Sequence, residues 1–126
     1  MGENHMADNR SKKMATIAYR ALEEKKADDI KVLDIENVST LADYFIIASG
    51  KNHNQVQAMA DAVDEMLGKA GYEPKQTEGY RSANWILQDY GDIVVHIFDT
   101  ENRLFYDLER IWRDGTETTI GELEEG

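Results

Sequence analysis

Tyr44-Phe45-Ile46-Ile47-Ala48 reads YFIIA, apolar at every position and rich in aromatic and β-branched side chains. A strand with one wet face alternates apolar with polar residues. An unbroken run this short therefore predicts a central strand buried on both faces. Gly50 ends it, and Asn52 or Asn54 can cap a helix running to about residue 70, with Val56, Met59, Ala60, Val63, Met66 and Leu67 as its inner stripe. Gly71 stands where a left-handed C-terminal cap belongs. Upstream, residues 11–27 carry Met14, Ile17, Ala18, Ala21 and Leu22 at helical spacing, Asp28-Asp29 break the pattern, and residues 30–35 read as a strand. Downstream, residues 74–77 form a short polar strand that Pro74 assigns to an edge or a strand start. Residues 85–89 and 93–98 are two strands joined by the tight turn Tyr90-Gly91-Asp92. Asp99 or Thr100 then caps a last helix carrying Leu104, Phe105, Leu108, Ile111 and Trp112. The predicted class is α/β: a mixed five-stranded sheet with flanking helices, in the order α-β-β-α-β-β-β-α. The step from residue 44 to residue 77 is long enough for a crossover, and the last hairpin is antiparallel.

With 126 residues the chain has room for one core, so a single domain over residues 6–113 is expected. Residues 1–5, ahead of a second methionine, read as a cloning remnant and carry no functional weight. Residues 114–126 are an acidic Thr and Glu tail with little to bury, expected to be disordered. The net charge of −11 repels phosphate, which disfavours binding dominated by nucleic acid or by anionic membrane. Charge is unevenly placed: residues 10–31 carry a local +3, a mildly basic first helix on an acidic body. The absence of cysteine excludes disulfides, thiolate metal sites and a cysteine nucleophile. No apolar run approaches the roughly 18 residues of a membrane span, and no signal-peptide pattern opens the chain. A small, acidic, cytoplasmic protein is the expectation.

Site chemistry is sparse. With His5 set aside, His53 and His96 have neither cysteine nor a second histidine at ligand spacing, so no metal is expected. His96 reads as a packed or interface residue. The Ser49-Gly50-Lys51-Asn52 turn between strand and helix could hold an anion, but it lacks the spacing of known phosphate loops. A strand, Ser-Gly turn and helix also opens nucleotidyltransferases, which need two carboxylates alternating on a neighbouring strand to hold magnesium. Here Asp34 and Glu36 have that spacing but do not follow the turn, and Asp89 and Asp92 read as hairpin residues. No nucleophile elbow is present. No catalytic, metal or cofactor residues are expected. Aromatic residues are more informative: Tyr80, Trp85 and Tyr90 surround the first hairpin strand. Trp85, Leu87 and Asp89 share one face of that strand, and Val94, His96 and Phe98 share one face of the next. An outward-facing row would make an adhesive patch, because Trp and Tyr dominate binding hot spots.

Five stretches together resemble the Iojap family, the bacterial ribosomal silencing factors and their organelle relatives. They are residues 42–50 (ADYFIIASG), 55–63 (QVQAMADAV), Glu78-Gly79 followed by Trp85, residues 91–99 (GDIVVHIFD) and residues 103–112 (RLFYDLERIW). The resemblance spans roughly residues 14–112. The turn departs from the family: Lys51, Asn52, His53 and Asn54 precede Gln55, where members commonly show small polar residues and an arginine. The resemblance implies a non-enzymatic factor that binds the large ribosomal subunit at its ribosomal protein numbered fourteen and blocks joining of the small subunit, lowering translation. It also implies a distantly nucleotidyltransferase-like fold without the catalytic apparatus, a homodimer when free, and a role in large-subunit assembly among organelle relatives. An acidic factor would seek a basic ribosomal protein rather than RNA. The expected docking surface is the sheet face of Trp85 with Asp89 and Asp99, extended by Tyr80, with Arg103 orienting the carboxylates. The competing readings are an assembly adaptor recruiting through the first helix and a nucleotide enzyme using the Ser49-Gly50 turn.

Overall fold

The computed structural model describes residues 2–36, 40, 42–101 and 115–125. Its elements in chain order are α1 (Gly2–Glu24), β1 (Asp28–Asp34), β2 (Tyr44–Gly50), α2 (His53–Lys69), β3 (Gln76–Glu78), β4 (Trp85–Asp89), β5 (Ile93–Asp99), β6 (Thr116–Thr118) and α3 (Ile120–Glu125). The strands form one mixed sheet in the order β3-β4-β5-β2-β1-β6. As the apolar run predicts, β2 is central and buried along its whole length, with Ile46 and Ile47 both at 0% exposure.

β2 and β5 are parallel, from Tyr44 opposite Ile93 to Gly50 opposite Asp99. β1 with β2, β3 with β4 and β4 with β5 are antiparallel. The crossover through α2 thus lands β3 parallel to β2 but at the far edge, and the β4–β5 hairpin fills the gap between them. An edge place for β3, just after Pro74, agrees with the missing proline donor.

One face of the sheet carries the larger core. Met14, Ala18 and Leu22 of α1 and Val56, Met59 and Val63 of α2 pack there on Ile46, Ile86, Val95 and Ile97. Asn52, rather than Asn54, caps α2: its side chain accepts from Gln55 N. At the other end Gly71, at φ +96°, lets Tyr72 N donate to Leu67 O at 2.8 Å. α1 closes earlier than predicted. Lys26 takes the left-handed conformation (φ 59°) and Ala27 N returns to Leu22 O, so Asp28 and Asp29 belong to β1 instead of the break. The predicted helix after Asp99 lies outside the described residues from residue 102 on.

Two expectations fail at the chain's acidic end. Among the described residues the sheet has six strands rather than five, because Thr116–Thr118 pairs with β1 from Val32 opposite Thr118 to Asp34 opposite Thr116. Nor is that end without structure. Thr119 and Glu122 form a reciprocal cap, with Thr119 N donating to Glu122 Oε1 at 3.1 Å and Glu122 N to Thr119 Oγ1 at 3.2 Å. Leu123 is then buried to 3% exposure against the α1 side of the core, and Arg20 of α1 reaches Glu124 at 2.6 Å. The β6 pairing, the capping box and buried Leu123 tie to the fold a stretch whose composition is otherwise that of a tail. Leu123→Ala should accordingly cost about 2 kcal/mol in a urea titration. An unchanged midpoint would mean that this segment does not hold the fold.

Candidate functional site

The register of the β4–β5 hairpin settles which side chains share a face. Trp85 stands opposite Phe98, Leu87 opposite His96 and Asp89 opposite Val94. Phe45, Ile47 and Ser49 of β2 stand opposite Val94, His96 and Phe98. The two rows named from the sequence therefore lie on one face, opposite the face that α1 and α2 cover.

Aromatic rings form the centre of that face. Trp85 stacks on Phe98 with centroids 5.2 Å apart, and Phe45 lies 4.6 Å from His96. Phe98 and Ile47 are buried, whereas Trp85, Leu87 and Val94 are half-buried. Trp85 and His96 are diagonal neighbours across the strands, close enough for long side chains to meet. The Trp85 indole Nε1–H donates to His96 Nδ1 at 3.1 Å. His96 is 4% exposed, and burial alone pushes its pKa down to about 4, so the imidazole is neutral at physiological pH. Because Nδ1 accepts, the ring proton sits on Nε2, which is buried and has no hydrogen-bond partner among the described residues.

The other predicted site residues do not converge on Trp85. Asp89 shares its face, but its Oδ1 accepts from Gly91 N at 2.8 Å, so the carboxylate also serves the hairpin turn. Tyr80 is 40% exposed and turned towards α2: its hydroxyl donates to the Asp61 carboxylate at 3.0 Å, and Gln57 Nε2 donates to its carbonyl. Since α2 covers the opposite face of the sheet, Tyr80 does not extend the Trp85 row. Asp99 follows Phe98, the partner of Trp85, but has the parity of Val95 and Ile97 and so lies on the helix-covered side. Five residues of strand separate it from Val94, the partner of Asp89, or about 17 Å. Arg103 falls outside the described residues.

Asp99 instead helps line a cleft of about 620 Å³ with Lys51, Asn52, His53, Asn54, Thr100 and Glu101. The cleft opens at the carboxyl ends of the parallel strands β2 and β5, where His53 Nε2 lies 3.5 Å from Asp99 Oδ2. Asp34 and Glu36 are far from it. Asp34 pairs with Tyr44 at the start of β2, six residues or about 20 Å from Gly50, and its carboxylate accepts from Glu36 N. Strand alternation had given the spacing of these carboxylates but not which end of the sheet they occupy. Among the described residues no three His, Asp or Glu side chains gather as a metal site.

What the residue types alone missed is the bond between Trp85 and His96. Its signal was present in the turn: counting outward from Gly91-Asp92 pairs Tyr90 with Ile93, Asp89 with Val94 and so Trp85 with Phe98.

Comparison with known proteins matches residues 8–126 to a family model described as ribosomal silencing factor during starvation. A ribosomal silencing factor of Bacillus subtilis is 42% identical over 82% of this chain and 87% of its own length. A crystal structure of a Chromobacterium violaceum protein superimposes with a TM-score of 0.79 at 36% identity, covering 85% of this chain and 88% of that one. A mouse protein named for mitochondrial assembly of the ribosomal large subunit is 31% identical over 72% of this chain and 41% of its own.

Proposed function

From the premise that the chain belongs to the ribosomal silencing factor family, we propose that it binds the large ribosomal subunit through the ribosomal protein numbered fourteen. Bound there, it blocks joining of the small subunit by bulk alone and represses translation. The block needs no chemistry, and the protein acts in the cytoplasm without a cofactor.

The observation that carries this reading is the aromatic sheet face of an acidic protein. Trp85, half-buried on that face with Leu87 next to it and Val94 and Asp89 farther along the hairpin, has the character of a hot-spot anchor. The net charge of −11 complements a basic ribosomal protein and steers the factor away from RNA. The proposed face leaves out Tyr80, which is turned to α2, and Asp99, which has the parity of the helix-covered side. Free in solution, the protein forms a homodimer, which sedimentation equilibrium would read as twice the 14.4 kDa chain.

A role in large-subunit assembly is the second reading, favoured by the mouse relative's name. Co-sedimentation with isolated large and small subunits, followed by a joining assay, separates the two. Binding to large subunits with fewer joined ribosomes supports silencing. Binding without that loss supports assembly, and no binding at physiological salt removes both. Trp85→Ala should weaken large-subunit binding about 30-fold, or about 2 kcal/mol, with the fold intact. Wild-type affinity in that variant would remove Trp85 from the interface.

A further inference from the structure

Apolar packing alone does not call for a histidine at position 96. Its imidazole is 4% exposed between Phe45 and the Trp85–Phe98 stack, a place where a phenyl ring of similar size would pack. The imidazole also buries an Nε2–H that has no acceptor among the described residues, an unfavourable arrangement that a phenyl ring avoids. What histidine supplies and a phenyl ring cannot is an acceptor, Nδ1, for the Trp85 indole N–H at 3.1 Å.

We infer that His96 is the positioning residue of the docking face: its buried Nδ1 holds the Trp85 indole in one orientation before the partner arrives. The inference rests on the proposed docking role of Trp85 and adds how that side chain is prepared. The half-buried indole stacks on Phe98 at 5.2 Å, and its N–H donates to a ring packed on β5, which fixes where its polar edge points. An anchor already ordered in the free protein loses less entropy on docking. His96 itself is too buried to contact a partner, so it acts through Trp85.

The experiment compares wild type with Trp85→Ala, His96→Phe and His96→Asn. Asparagine is informative because its Oδ1 can stand where Nδ1 stands and accept the same N–H. Three quantities are read: large-subunit affinity, urea stability, and hydrogen exchange of the Trp85 indole N–H, assigned in nitrogen-15 spectra by comparison with Trp85→Phe. The expected result is His96→Phe at least as stable as wild type, with a faster-exchanging indole and affinity about tenfold weaker. His96→Asn should recover most of the indole protection and most of the affinity. If Trp85→Ala weakens binding but His96→Phe does not, the positioning role is overturned and the docking face stands. If His96→Phe loses stability and affinity together and His96→Asn recovers neither, His96 is structural only and the inference fails. If Trp85→Ala binds as tightly as wild type, the docking face fails and the inference fails with it.

Discussion

Gly79→Ala is expected to lower the unfolding free energy by about 4 kcal/mol in a denaturant titration. Gly79 links β3 to the loop ahead of β4 at φ +80°, a region that disfavours L side chains by about 1–2 kcal/mol. Space is the larger obstacle. A Cβ there would stand 2.1 Å from the Trp85 carbonyl oxygen and 3.2 Å from its carbonyl carbon, both backbone atoms that cannot swing aside. The loop or the start of β4 would have to move, breaking the bond from Ala83 N to Gly79 O at 3.0 Å. Gly71 supplies the internal control. Its φ of +96° is similar, but nothing lies within 4 Å of its would-be Cβ, so Gly71→Ala should cost only about 1 kcal/mol. Equal losses in the two variants would refute the close approach of Gly79 to Trp85. The same displacement would carry the Trp85 ring with it, so Gly79→Ala should also weaken large-subunit binding under conditions where it remains folded.

Acid should destabilise the protein through His96, by about 3 kcal/mol between pH 7.5 and pH 4. Burial lowers the folded-state pKa of His96 to about 4, whereas the unfolded chain titrates near the ordinary value of 6.5. Above both values the ring is neutral in either state and contributes nothing to the pH dependence. As pH falls through the unfolded value, the unfolded chain takes up a proton that the folded protein refuses, and stability declines until the folded pKa is reached. Protonation at Nδ1 would also turn the acceptor of the Trp85 bond into a donor. Acidification at the same time relieves self-repulsion in a chain of net charge −11, which acts in the opposite direction. The measurement is therefore a difference: urea midpoints of wild type and His96→Phe across this pH range. His96→Phe should lack the histidine component of the decline, and parallel curves would show that His96 is not buried as neutral imidazole.

These expectations draw unequally on sequence and structure. The elements from β1 to β5 were legible because their signals are local: the unbroken YFIIA run, the Asn52 cap, Gly71 after α2, and the Gly91-Asp92 turn. The acidic end was misread although its capping box, Thr119 with Glu122, is equally local. Composition outweighed the motif there, since only tertiary packing gives Leu123 a place against α1. The candidate site was half legible. Alternation correctly grouped Trp85 with Asp89 and His96 with Phe98, but it joined Asp99 and Tyr80 to a face they do not share.

Residue order thus sufficed for the elements from β1 to β5, for the two-sided burial of β2 and for the family, all of which depend on periods and motifs within short stretches. It could not supply the phase between strands or the path of the loops. Side chains alternate along every strand, but which row faces which depends on pairing between residues distant in the chain. That pairing sets Trp85 opposite Phe98 and beside His96, keeps Asp89 on their face at the hairpin turn, and puts Asp99 on the helix-covered side and Tyr80 against Asp61 on α2.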